Sequence, residues 1–192
     1  MRKLLFSVAM LTFVGANAQT FGLKGGLNIS YISNYYEEPA NPKSKIGFNA
    51  GVFYNQSLNE KLKIQPELLY SSKGMKYKYG TEEFSYLSLP VFIQYSIVPN
   101  LYIEAGPEIS YLLSSKDKFN GNEDYYGETI DNMEDMKKID FGLGLGLGYN
   151  ITNEFGVNAR YVQGLLDVYK ETTEGDIAKN SVLQIGVYYK FK

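Results

Sequence analysis

The chain has no cysteine, no histidine and no tryptophan among its 192 residues. Without cysteine there are no disulfides and no thiolate metal sites, and without histidine the commonest general base and metal ligand is missing. Hydrolase chemistry that depends on histidine is thereby excluded, and the chain reads as non-enzymatic. A surplus of positive charge is also lacking: 19 basic and 21 acidic residues give a formal net charge of −2. No basic field is available to hold a phosphate backbone, so nucleic acid is not a partner. After residue 18, Lys, Glu, Asn or Gly interrupts every apolar run before the ~20 residues that a spanning helix needs. An integral membrane protein of this kind must cross as a closed barrel. Abundant instead are glycine, at 19 residues, and tyrosine, at 18, in a composition that suits one folded domain.

Residues 1–18 have the form of a secretory signal peptide. Arg2 and Lys3 precede an apolar stretch from Leu4 to Val14, and Ala16, Asn17 and Ala18 form a small-residue site before Gln19. Cleavage after Ala18 is expected, leaving a mature domain of residues 19–192. That segment keeps 17 basic and 21 acidic residues, a net charge of −4.

The mature segment repeats one theme: a stretch of period-two alternation followed by a connection, the signature of strands with two unlike faces. The first three apolar sets are Phe21 to Tyr31, Ile46 to Tyr54 and Leu62 to Tyr70. Leu87 to Ile97, Leu101 to Tyr111, Ile139 to Tyr149, Phe155 to Tyr161 and Leu183 to Phe191 complete eight. No charge falls on that parity. The opposite parity is small and polar, most plainly in Asp140, Gly142, Gly144, Gly146, Gly148 and Asn150.

Three features turn the apolar face outward, toward lipid. Short links near 58–61, 98–100 and 151–154 alternate with long ones near 33–45, 74–83, 115–138 and 167–180, as in barrels with short periplasmic turns and long outer loops. Each segment also has one tyrosine on its apolar parity: Tyr31, Tyr54, Tyr70, Tyr95, Tyr111, Tyr149, Tyr161 and Tyr189. In an up-and-down barrel these form two aromatic girdles, one per rim. Finally, a small polar face suits the narrow interior of eight strands, with the glycines permitting tight curvature. Pro66, Pro90 and Pro107 cannot donate to a ladder, so bulges or missed rungs are expected there.

The inward charges, Lys24, Lys63, Glu67, Glu104, Glu108, Asp140, Arg160 and Lys190, are of both signs. They are read as a paired network filling the lumen, with Arg160 bridging Glu67 or Glu108. The alternating glycines 142–148 do not make a nucleotide loop, which requires a helix after the glycines. The 115–138 connection is net acidic by three, but its spacing is not that of an EF-hand. It reads as a solvated loop in which Tyr125 and Tyr126, like Tyr35 and Tyr36 in the first long connection, are contact candidates. No cofactor or metal is called for.

The same residues resemble the outer-membrane β-barrel family called PorT-like. The resemblance runs through Gly22 to Asn28, the stretch Gln65 to Tyr70 leading to Lys73 and Gly74, and Tyr86 to Pro90. It continues through Gly106, Pro107 and Tyr111, the segment from Asp140 to Tyr149, then Ala159, Arg160, Tyr161, Gly164 and Leu165. It implies outer-membrane insertion without catalytic residues, and some relatives are linked to protein secretion. The last strand, in Gln184, Gly186, Tyr189 and Phe191, resembles the signal read by the barrel-assembly machinery, with Lys192 following the final aromatic.

The expected fold is therefore all-β: an eight-stranded antiparallel up-and-down transmembrane barrel in the outer membrane of a Gram-negative cell. Its expected partners are outer-membrane lipid, the assembly machinery and an unidentified extracellular or secretion-system protein. The main expectation is an occluded lumen with outer loops for structural or interaction roles. Its rivals are a small porin-like or secretion-associated channel, and an exported soluble ligand-binding barrel with its apolar face inward.

Overall fold

A computed structural model describes residues 19–33, 43–78, 80–119, 127–170 and 177–191. The signal segment and Tyr35, Tyr36, Tyr125 and Tyr126 lie outside them. In chain order the strands are β1 (Gln19–Ser33), β2 (Lys43–Ser57), β3 (Leu62–Tyr77), β4 (Gly80–Val98), β5 (Leu101–Phe119), β6 (Thr129–Asp131), β7 (Ile139–Asn150), β8 (Phe155–Gly164) and β9 (Lys179–Lys190). Every long strand pairs antiparallel with its neighbours along the chain, and β1 pairs with β9 from Gly22↔Lys190 to Ser33↔Lys179. Closure removes the two free edges that an open sheet would leave. β6 pairs only with the far end of β5, so the barrel proper has eight strands.

The period-two alternation explains the orientation. Residues of the apolar parity are exposed along all eight strands, with Ile46 and Leu145 both at 67%, and the polar parity faces the lumen. At one end the turns are tight, and two of the three are capped by their own side chains. Asn59 Oδ1 accepts from the Lys61 and Leu62 amides at 2.9 and 2.8 Å, and Thr152 Oγ1 accepts from the Phe155 amide at 2.9 Å.

The opposite end departs from the sequence reading. A long connection over 74–83 does not form, because β3 and β4 stay paired up to Tyr77↔Gly80. The 115–138 connection is likewise shortened, since β5 runs to Phe119 and then pairs with β6. β4 and β5 each have 19 residues, well beyond the roughly 10 that a tilted spanning strand uses. Past the lipid there is no oily face to maintain, and the two strands continue on their pairing with each other, with β3 and with β6.

The prolines interrupt pairing without shifting it. Rungs are missing between Pro66↔Val91 and Leu69↔Ser88, and between Pro90↔Glu108 and Ile93↔Ala105, while the register continues unchanged. Pro107 keeps its rung with Leu143. True register shifts lie elsewhere, at Ser44/Asn49 against β3 and at Ser85/Tyr86 and Ser96/Val98 against β5. The first coincides with a close approach: a Cβ on Gly47 would meet the Ser72 carbonyl at 2.3 Å, and nearby Gly74 has φ +134°.

The inward glycines do more than allow curvature. A Cβ on Gly148 would lie 2.2 Å from the Tyr102 ring, on Gly22 2.2 Å from Phe53, on Gly156 2.3 Å from Tyr188 and on Gly144 2.4 Å from Phe92. Each of these four inward rings is seated on a glycine of another strand, so large side chains fit a lumen that would otherwise be overfilled. Gly148→Ala should therefore destabilise the barrel by about 1–3 kcal/mol in urea unfolding from lipid vesicles. In a Tyr102→Ala background that cost should fall close to zero; an undiminished cost would mean the ring is not the cause.

Candidate functional site

The inward residues of β3 order the lumen from the short-turn end to the long-loop end: Lys63, Gln65, Glu67, Leu69, Ser71, Lys73, Met75. Each marks a level where side chains from other strands meet it. The central level is built on Arg160 of β8. Its Nη2 and Nη1 donate to Glu67 Oε1 and Oε2 at 2.8 and 3.1 Å, and its Nε donates to Glu104 Oε1 at 2.9 Å. The guanidinium also lies over the Phe92 ring, 3.6 Å from its centroid. Lys24 Nζ reaches Glu67 Oε1 at 3.3 Å, so two cations face two carboxylates. Arg160 spans the barrel, because β3 and β5 are not neighbours of β8 in the sheet.

Below this level an amide layer takes up the outer lone pairs of the acids. Gln65 Nε2 donates to Glu67 at 2.8 Å and Gln94 Nε2 to Glu104 at 3.0 Å. Asn55 Nδ2 donates to both glutamine carbonyls, at 2.8 and 2.9 Å. Above it, Lys73 Nζ pairs with Glu108 Oε1 at 2.8 Å, and Ser110 donates to the same oxygen at 3.1 Å. Asp140 accepts from Asn180 Nδ2 at 2.8 Å.

Of the inward charges expected to form one network, the structure joins Lys24, Glu67, Glu104 and Arg160 directly. Arg160 bonds Glu67 and not Glu108, which belongs to Lys73. Lys73 was missed, although it continues the inward parity of β3, because it borders a stretch that reads as loop. Lys63 and Lys190 stand apart at the short-turn mouth, where Lys190 Nζ donates to Asn150 Oδ1 at 2.6 Å.

At the long-loop end lies an apolar cluster: Ile32, Met75, Phe84, Tyr86, Leu112, Met136, Val168 and Ala178, all buried. Met136, Val168 and Ala178 come from the connections, which are tied to each other by Lys137 N–H to Val168 C=O and Val168 N–H to Ala178 C=O, both 2.9 Å. Tyr169 OH donates to Glu82 at 2.8 Å. Residues 127–138 of the 115–138 connection are mostly exposed, as expected of a solvated loop; the apolar exceptions are Met136, which is buried, and Met133, which packs partly buried against the same apolar cluster, since apolar side chains there gain more by covering that cluster than by facing water.

The rim tyrosines fall into two sets. Tyr31 and Tyr161 meet OH to OH at 3.5 Å near the long-loop end, where Tyr70 donates to Ser85 Oγ at 2.7 Å and Tyr111 stands opposite Leu87. Tyr54 packs on Phe21 at 5.0 Å and Tyr189 on Phe191 at 5.6 Å near the other end. Tyr95 and Tyr149 share that end, opposite Ile103 and Leu101. In the last strand Gln184 and Gly186 face inward, and neither Gln184 side-chain polar atom has a hydrogen-bond partner among the described residues.

A lipid-facing apolar wall between aromatic rims, closed around charged side chains, is the architecture of a membrane barrel. The family model of the outer membrane protein beta-barrel domain matches residues 17–170. The chain belongs to this family. It is an integral protein of the Gram-negative outer membrane, and the reading as a soluble barrel with an inward apolar face is overturned. By the general rule for such barrels, the short turns face the periplasm.

Among solved structures, Ail, the attachment invasion locus protein of Yersinia pestis, aligns over 91% of this chain and 100% of its own at 18% identity, with a TM-score of 0.56. A second Ail structure, in complex with the heparin analogue sucrose octasulfate, gives 17% identity and 0.54 over the same shares. Neisserial surface protein A gives 14% identity and 0.58, again over 91% and 100%. These likenesses are of fold. No curated protein matches the sequence.

Removing Arg160 would leave Glu67 and Glu104 buried with only Lys24 between them. Arg160→Met should lower unfolding free energy by about 3–5 kcal/mol and reduce the yield of the compact, unheated band on gel electrophoresis. An unchanged urea midpoint and band yield would show that the pairing is dispensable.

Proposed function

We propose that the protein is a non-enzymatic barrel whose lumen is occluded and whose extracellular end serves a structural or interaction role. The observation that supports this best is the apolar cap. Connections between strands fold over the mouth and bury Met136 and Val168 against Phe84 and Leu112, where a conducting pore would need water. Below the cap, the Lys73–Glu108 pair and the Arg160 network span the lumen with side chains at hydrogen-bonding distance. The extended β4–β5 hairpin and the acidic 127–138 segment form a platform above the upper tyrosines, suited to an extracellular or secretion-system protein.

Within the family, the PorT-like pattern of Gln65 to Tyr70, Tyr86 to Pro90 and Ala159 to Tyr161 supports kinship with that branch, and with it a secretion-associated role. In the same reading Gln184, Gly186, Tyr189 and Phe191 are recognised by the barrel-assembly machinery, and residues 1–18 are removed on export.

Purified protein, shown to be folded by a heat-dependent gel shift, should give no steady current steps in planar bilayers. Ohmic steps that persist after repurification would replace this reading with the small-channel one.

A further inference from the structure

At the periplasmic mouth, Lys63, Gln65, Gln94, Ser96, Asn150 and Lys190 line a small polar recess that opens to solvent. Its lining holds two ammonium groups and no carboxylate. Lys63 and Lys190 are both partly withdrawn from water, and neither has an ion-pair partner among the described residues. Every other inward lysine of the spanning region is paired: Lys24 with Glu67 and Lys73 with Glu108. The lumen acids Glu67 and Glu104 sit one level deeper, bound by Arg160 and screened from the mouth by the Gln65, Gln94 and Asn55 amides, while Glu154 on the adjoining turn meets Lys190 through its backbone carbonyl, at 2.7 Å from the Lys190 amide, and is not part of the recess lining.

Two like charges held in a concavity repel each other and lose hydration, a cost that an anion between them would relieve. The neutral groups suit such a guest. Asn150 Oδ1 is engaged by Lys190 Nζ at 2.6 Å and Tyr188 OH at 2.8 Å, so the acceptor on this wall is already occupied and turned toward donors. The Ser96 hydroxyl stands on the same lining as a further donor. We propose that this vestibule binds a small oxyanion, of the phosphate or carboxylate class, presented from the periplasm. The amide layer and the carboxylates behind it stop the anion at the mouth, making this a docking site and not the start of an anion path. The proposal does not depend on the lumen being occluded at the other end.

The test is a titration of the folded protein in uncharged maltoside micelles, at constant ionic strength, with inorganic phosphate in one arm and acetate in another. The readout is the side-chain amine resonances of isotopically labelled lysines. Saturable shifts at Lys63 and Lys190, with Lys61 on the neighbouring exposed turn unmoved, are the expected result. Lys63→Gln and Lys190→Gln should each weaken binding by about tenfold, the loss of one close charge, while Lys61→Gln should not. If one variant does not fold, the other carries the comparison. Tighter binding of phosphate names a phosphoryl ligand, and tighter binding of acetate names a carboxylate such as that of a peptide. Small, non-saturating shifts shared by all lysines in both arms, or affinity unchanged in the variants, would overturn the proposal.

Discussion

The Arg160 guanidinium, shared between Glu67 and Glu104, is the contact around which the interior is arranged. A charge in a lumen this narrow has little water to solvate it, so Glu67 and Glu104 are held as carboxylates by the cations that reach them. Arg160 comes from β8 and its partners from β3 and β5, so the bonds run across the barrel and tie strands that share no ladder. Such a strut fixes the stagger of the sheet as well as its closure. A one-residue slip of β8 would send Arg160 into lipid, where a charge costs several kcal/mol. Phe92, stacked on the guanidinium and seated on Gly144, locks its plane from a third side.

The two ends of the barrel solve different problems. The periplasmic turns are minimal, and two of them satisfy amides with their own side chains, through Asn59 and Thr152. At the extracellular end the strands outrun the membrane and the connections fold back, so apolar side chains are buried against other loops and not against lipid. Inside the barrel, Phe53, Tyr102 and Tyr188 form one buried cluster; the molecule also carries a continuous apolar surface outside, set by lipid, and a small apolar cluster at the long-loop end. This last cluster follows globular rules, in which coverage by Met136 and Val168 stabilises Phe84 and Leu112.

What was legible in the sequence is what a local rule dictates. Lipid tolerates no charge on the outward parity of any strand, so the alternation, the eight spanning segments, the three tight turns and the one-per-strand tyrosines all stand in plain view. Beyond the bilayer that pressure ends, and Gly74 to Tyr77, in a stretch rich in Lys and Gly, reads as loop although it is paired strand. The partners of the inward charges were half legible. Parity places Glu67, Glu108 and Arg160 inside, but which of them meet depends on the stagger between distant strands, which no short-range pattern encodes. The glycine run 142–148 was visible as curvature. Its role as seating for Phe92 and Tyr102 was not, since ring and glycine lie on different strands.

The order of charge along the axis bears on permeation independently of steric fit. Entering from the periplasm, a cation first meets the ammonium groups of Lys63 and Lys190. An anion that passes them meets Gln65 and Gln94 with their donors already spent on carboxylates, and then the acids themselves. Each sign of charge is opposed at a different depth, and moving one layer aside does not remove the barrier set by the other. In the occluded reading proposed above, opening the lumen requires the Arg160 bonds and the Lys73–Glu108 pair to break together, in a medium where each separated charge is strongly disfavoured. Reversible opening is therefore much harder here than in a barrel gated by one pair. An added methyl on Gly148 or the loss of Arg160 perturbs the same packed column from two directions, through ring seating in one case and through charge in the other.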